Sequence, residues 1–146
     1  IHTTQHGYAL DSFLVMDAGN DKPVYRDVMN FIEYELTQEL AKPQLPKLPK
    51  SGRVSRQLKH FPITPEVEIR LDEKGNHVLS IIAGDRPGLL ARIAHTLAHH
   101  HIEVSSAKIN TLGARAEDAF WIAGAALSQP QAVAALREEL LHQLAS

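Results

Sequence analysis

The sequence predicts an α+β fold: an antiparallel sheet with helices on one face, built in the order β-β-α-β-β-α over residues 66–146. Three observations carry this. Val67, Ile69 and Leu71 alternate with Glu66, Glu68 and Arg70, the pattern of a strand wet on one face. Val78 to Ala83 is a short, β-branched, almost wholly apolar run, as in a strand covered on both faces. After the turn-rich Gly84-Asp85-Arg86-Pro87-Gly88, apolar residues fall at Leu89, Leu90, Ile93, Ala94, Leu97 and Ala98, the spacing of one helix face.

The other elements follow from the same rules. Ile1 to Thr4 and Tyr8 to Asp17 read as strands joined through Gln5-His6-Gly7. Pro23 sits where a helix can start, and Val24, Val28, Phe31, Ile32, Leu36 and Leu40 form its stripe. From Lys42 the run KPQLPKLPK places a proline at every third position, the period of polyproline II, which predicts a semi-rigid linker over 42–65. Arg53, Arg56, Lys59 and His60 continue its basic character without aromatic residues between them, so a solvated tether is favoured over a nucleic-acid patch.

In the second half, Asp72 to Asn76 predicts a hairpin turn that pairs 66–71 antiparallel with 78–83 at the sheet flank. A strand near Ile102 to Leu112, a turn at Gly113-Ala114 and a strand over 116–123 follow. Placing 78–83 beside 116–123 gives a split βαβ, hence a ferredoxin-like arrangement. Ser128 and Gln131 stand at capping-box spacing before a helix whose stripe is Val133, Leu136, Leu140, Leu141 and Leu144. Thr3, Asp11, Phe13 and Pro23 match Thr111, Asp118, Phe120 and Pro130 with one deletion, an internal repeat of strand, strand and helix. The expected organisation is therefore half a module over 1–41, the linker, and a complete module over 66–146. The half module is expected to lean on the second module or on a partner chain, burying Phe13, Phe31 and Ile32. The start at Ile1 is read as that of a piece of something longer.

Composition excludes several functions. A hydrophobic fraction of 44% with 22% charged residues belongs to a folded globular chain. The net charge of −2 argues against a general nucleic-acid binder. The absence of cysteine removes disulfides, thiolate nucleophiles and Cys-based zinc sites. No apolar run has membrane-spanning length and no secretory signal is present, so a cytoplasmic location is expected.

The strand–turn–helix at 78–101 is the main candidate site. A helix start presents unpaired N–H groups and the positive end of the dipole, which favour a carboxylate or phosphate. The turn alone does not distinguish such a site from a plain connection. The pairs Glu33/Glu35 and Glu66/Glu68 read as surface charges rather than catalytic acids. His95 and His99, with His100 and His101, have chelating spacing, but no carboxylate shares their helix, so no metal site is assigned. Trp121 fits the core or a module interface better than a ligand pocket, and Arg86 reads as a surface residue unless it clamps a carboxylate.

HVLSIIAGDRPGLLARIAHTLA followed by INTLGARAEDAFWIAG resembles an ACT domain, the small-molecule sensing module of amino-acid metabolism. Two such modules separated by a segment like RQLKHFP resemble the C-terminal end of the bifunctional protein-PII uridylyltransferase/uridylyl-removing enzyme family. The resemblance implies a glutamine-sensing region that switches uridylylation and deuridylylation of the PII signal protein, with ligand roles on Asp85, Arg86, Pro87, Gly88, Leu89 and Leu90. It also implies pairing with other ACT modules, and magnesium in catalytic domains that this stretch does not contain. The chain has no Gly-Ser dipeptide, no Asp-x-Asp and no adjacent His-Asp pair, so neither catalytic site of that family is expected in it. An ACT assembly module without ligand, or the regulatory region of another amino-acid or alarmone enzyme, are the alternatives.

Overall fold

The structure, a computed structural model, describes the backbone of residues 2–3 and 9–10 and all atoms of residues 26–48 and 62–145. The expectations for Phe13, Pro23, Val24, most of the 8–17 strand and the basic stretch 49–61 lie outside these residues. The chain divides into two compact units, one of Ile1–Leu10 with Leu48–Ser146 and one of Asp11–Lys47.

In the larger unit, strands β1 (His2–Thr3), β2 (Ala9–Leu10), β3 (Glu66–Leu71), β4 (His77–Gly84), β5 (Glu103–Lys108), β6 (Thr111–Leu112) and β7 (Arg115–Ala123) form one sheet. Its order is β2-β1-β5-β7-β4-β3, with β6 paired to β7. All pairs are antiparallel. β3 pairs with β4 from Glu66↔Ile82 to Leu71↔His77, the flank position expected from the hairpin. Asp72 builds that hairpin: its Oδ1 accepts from the N–H groups of Lys74 (2.9 Å) and Asn76 (2.8 Å), and Gly75 takes φ 80. The Asn76 side-chain amide, which also donates to Asp72, holds the Asp72 carboxyl below its ordinary value, helped by these backbone bonds.

The helices are α2 (Leu89–His99) and α3 (Pro130–Ala145), with a 3-10 turn over Ala125–Ser128. Leu79, Ile81 and Ala83 of β4 and Ala116, Phe120 and Ile122 of β7 alternate inward to meet Leu89, Ile93 and Leu97 of α2 and Leu136, Leu140 and Leu144 of α3. Arg137 Nε donates to Val67 O at 2.9 Å, tying α3 to β3. Each of these large aliphatic side chains contributes about 1.5–3 kcal/mol on burial.

Several expectations need correction. Leu90 and Ala94 are exposed, and Thr96 is buried instead, its hydroxyl bonded back to Arg92 O at 3.1 Å. The α2 stripe is thus rotated, because only Leu89, Ile93, Thr96 and Leu97 face the sheet. The 102–112 strand is interrupted at Ile109-Asn110, which separates β5 from β6. Ser128 lies in the 3-10 turn and does not cap α3; Val133 N–H bonds to Gln129 O (3.1 Å) and Pro130 takes the first helical position, where its missing donor costs nothing. Trp121 is half-buried on the sheet face away from α2 and α3, its indole donating to Asp72 Oδ2 at 3.3 Å.

The smaller unit contains helix α1 (Arg26–Leu40), none of whose residues is buried. Phe31 is 62% exposed and Ile32 partly exposed, so the described chain does not supply the burial expected of them. Lys42 to Leu48 is exposed and without regular structure.

α2 ends in a Schellman arrangement: Ile102 N–H bonds to Leu97 O (2.9 Å) and His101 N–H to Ala98 O (3.0 Å). The left-handed position between them, φ 55, is held by His101 rather than glycine. His101→Gly is therefore expected to raise stability by about 0.5–1 kcal/mol, the strain relieved less the extra entropy of glycine in the unfolded chain. Chemical denaturation checks this; a variant no more stable than the parent would show that the strain is absent.

Candidate functional site

Three pieces of chain meet at the N-terminal end of α2. β4 ends at Gly84, and the Asp85 N–H bonds to Ala114 O at 2.8 Å, which fastens the 85–88 turn to the β6–β7 turn. Gly88 takes φ 83, a left-handed conformation that would strain any side chain, and it is the helix N-cap. Leu89 N–H bonds to Arg86 O (3.1 Å) and Arg92 N–H to Gly88 O (3.0 Å). Helix geometry leaves the N–H groups of Leu90 and Ala91 without an intrahelical acceptor. No side chain caps α2, so Asp85 is not a cap, and the Leu89 N–H is already engaged.

A cavity of about 190 Å³ opens here. Asp85, Arg86, Gly88, Leu89, Leu90 and Ala91 line one side, and Ile109, Thr111, Ala116 and Asp118 the other. Of the six residues expected from the resemblance, only Pro87 is outside the lining, exposed in the turn. The volume lies below the range of about 300–1,000 Å³ usual for drug-sized ligands, so the space suits a smaller molecule. A second cavity, about 360 Å³, is formed by 62–65, Gly84, Arg86, Leu144 and Ala145. Arg86 is its one charged group, whereas the smaller cavity carries both signs of charge.

Asp118 is the residue that sequence reasoning misses. It sits on β7 opposite Ile81 and points, with Ala116 and Phe120, to the helix-covered side of the sheet. Only 3% of it is exposed. Its Oδ1 accepts from Asn110 N–H at 3.2 Å, at the break between β5 and β6, while Oδ2 is buried and has no hydrogen-bond partner. Burial pushes its carboxyl up, the Asn110 bond opposes this, and the Asp85 charge adds to it. The available signal is period two: apolar Ala116, Phe120 and Ile122 place Asp118 on the buried face. Arg86 is half-buried, and burial, with Arg92 nearby, pulls its guanidinium below its ordinary value; an arginine nonetheless keeps its charge.

The arrangement can hold a small zwitterion. Arg86 and the helix start favour a carboxylate, and Asp118 with Asp85 favours an ammonium.

The comparisons with known proteins agree with the fold. Residues 77–142 match the ACT domain family. This part of the chain is an ACT domain. Over 145 residues, 99% of the chain, the sequence is 54% identical to the bifunctional uridylyltransferase/uridylyl-removing enzyme of Chromobacterium violaceum, of which it covers 17%. It is 52% identical over the same span to the enzyme of that description from Aromatoleum aromaticum, covering 17%, and 51% identical to that of Nitrosospira multiformis, covering 16%. The chain thus spans about a sixth of the length of the curated relatives it matches. No helix among the described residues is long and apolar enough to cross a membrane.

Because burial favours the protonated form of Asp118, the folded chain holds this proton more tightly than the unfolded one. Its contribution to stability therefore falls as pH rises from the ordinary carboxylate value of 3.8 through the higher folded value. Asp118→Asn keeps an oxygen for the Asn110 bond and has nothing to ionise. Without ligand, the wild type is expected to lose stability relative to Asp118→Asn between about pH 4 and pH 7. Parallel stability curves for the two proteins over that interval would contradict it.

Proposed function

We propose that the ACT domain senses a small amino acid, glutamine first among candidates, and that the chain is a regulatory region of a bifunctional uridylyltransferase/uridylyl-removing enzyme acting on PII. The observation that carries the reading is the buried, singly bonded Asp118 carboxylate facing the same cavity as Arg86 and the α2 start. A zwitterion would give Oδ2 of Asp118 the partner it lacks and return to the carboxylate part of the solvation lost on burial. The ACT match and the three relatives support the regulatory assignment. On this reading, nucleotidyl transfer and uridylyl removal, with their magnesium, belong to other domains of the enzyme. This chain's part is to bind, and to pass occupancy through α2.

A second reading, an assembly module without ligand, is favoured by α1, where Phe31, Tyr34 and Leu40 are all more than half exposed. That face needs cover by another ACT module or a further part of the enzyme.

Calorimetric titration of the chain with a panel of L-amino acids tests the first reading. Binding of glutamine or a close analogue is expected. Asp118→Asn should weaken it about tenfold or more, the scale of a lost hydrogen bond to a charged group. In the full-length enzyme the same substitution should blunt the glutamine response of both activities by about 5–150-fold in effector affinity while leaving basal uridylyl transfer measurable. Absence of heat with every amino acid, together with self-association in sedimentation, would transfer support to the assembly reading.

A further inference from the structure

We propose that His99, His100 and Glu139 form a binding site for a divalent cation of the zinc class, joining the end of α2 to the middle of α3. The sequence alone offers no carboxylate on the histidine helix; the fold brings one from the neighbouring helix, 39 residues further along. His100 Nε2 lies 2.8 Å from Glu139 Oε2, and His99 Nδ1 lies 3.5 Å from Glu139 Oε1. One nitrogen from each histidine and a carboxylate oxygen all fall within 4.8 Å of one another. Tetrahedral zinc with bonds of about 2.0–2.2 Å places neighbouring donor atoms roughly 3.3 Å apart, so small side-chain rotations complete the set.

The donors are also held in place. His100 and Glu139 side chains are 19% and 34% exposed, which restricts their rotamers, whereas His99 at 76% lies at the open side. The two imidazole rings meet edge to face, with centroids 5.6 Å apart and planes at 75°, so they do not stack and can approach one point from different directions. Both histidines sit at the C-terminal end of α2, where the last carbonyls and the negative end of the dipole favour a cation. Two imidazoles and one carboxylate select zinc and its neighbours over magnesium or calcium, which prefer all-oxygen sets. Three protein donors leave a fourth position for water or an incoming group. The ion would clamp α2 to α3 at the end of α2 remote from the amino-acid cavity, so the proposal stands independently of that cavity's ligand.

The test is zinc titration of the metal-free chain, read by competition with a chromophoric chelator and by the shift in thermal midpoint. The variants are Glu139→Gln, His100→Ala and His99→Ala, with His77→Ala on β4 as a histidine outside the cluster. One zinc per chain with micromolar affinity and a raised midpoint are expected for wild type and His77→Ala. Each cluster variant should bind about tenfold or more weakly, at least the cost of losing an outer-shell partner of a metal ligand. Glu139→Gln is nearly isosteric on a partly exposed helix face, and retention of fold by circular dichroism makes its result decisive even if a histidine variant is poorly folded. Millimolar affinity in the wild type, or equal affinity in Glu139→Gln and His77→Ala, would overturn the site.

Discussion

The pairing of β4 with β7 is the constraint on which the rest of the structure depends. It runs without a break from His77↔Ile122 to Gly84↔Arg115 through the centre of the sheet. Side chains alternate with period two, so this register alone decides that Leu79, Ile81, Ala116, Phe120 and Ile122 meet the helices. A slip of β7 by one residue would turn Ala116, Phe120 and Ile122 outward, and would carry Asp118 away from the cavity with them. The same register brings the end of β4 beside the β6–β7 turn, where the Asp85 N–H finds Ala114 O. Core and candidate site are thus fixed by one set of backbone bonds.

Asp118 carries a local cost at the candidate site. Every other side chain on the buried face of β7 beyond Arg115 is apolar, and the hydrophobic pattern would be served by another alanine or valine. A buried carboxylate oxygen without a partner costs about 1–3 kcal/mol or more, since the group is charged. Near neutral pH, burial and the Asp85 charge both work against its ionised form, and only the Asn110 N–H bond opposes them. Natural sequences depart from local consistency chiefly at functional sites, and Asp118 faces the same cavity as Arg86 and the open N–H groups of α2. On the proposed reading, this cost is what a bound cationic group would offset.

Much of this was legible in the sequence because it depends on period and turn chemistry. Alternation at Glu66 to Leu71, the apolar run at Val78 to Ala83 and the Asp72–Asn76 turn specify the β3–β4 hairpin and its place at the flank. What the sequence hid depends on which of several similar residues a neighbour covers. Leu89, Leu90, Ile93, Ala94 and Leu97 all fit one helical stripe, and only the approach of the sheet selects Thr96 over Leu90 and Ala94. The Ile109-Asn110 break follows from Asn110 turning its N–H to the Asp118 side chain, a contact eight residues away that no strand propensity contains. Glu139 likewise joins the histidines across 39 residues, beyond the reach of any helical spacing rule.

The amino-terminal hairpin extends the same logic. Thr3 pairs with Ala9 in β1–β2, and Thr111 pairs with Ala116 in β6–β7. These are the positions that the internal repeat equates, with its one deletion falling in the loop between them. Similar residues have therefore chosen the same register twice, once at the end of the sheet and once against its central strand. β1 also pairs with β5 through His2↔Ser106, so it covers an edge that would otherwise present open backbone groups. The helix that follows in the repeat is a different matter. α3 buries Leu136, Leu140 and Leu144, whereas α1 buries nothing and exposes Phe31, Tyr34 and Leu40. An apolar stripe of that length is stable in water only with a surface against it. Among the described residues, the first copy thus has its hairpin register without buried side chains on its helix, and their cover is a matter of what α1 packs against.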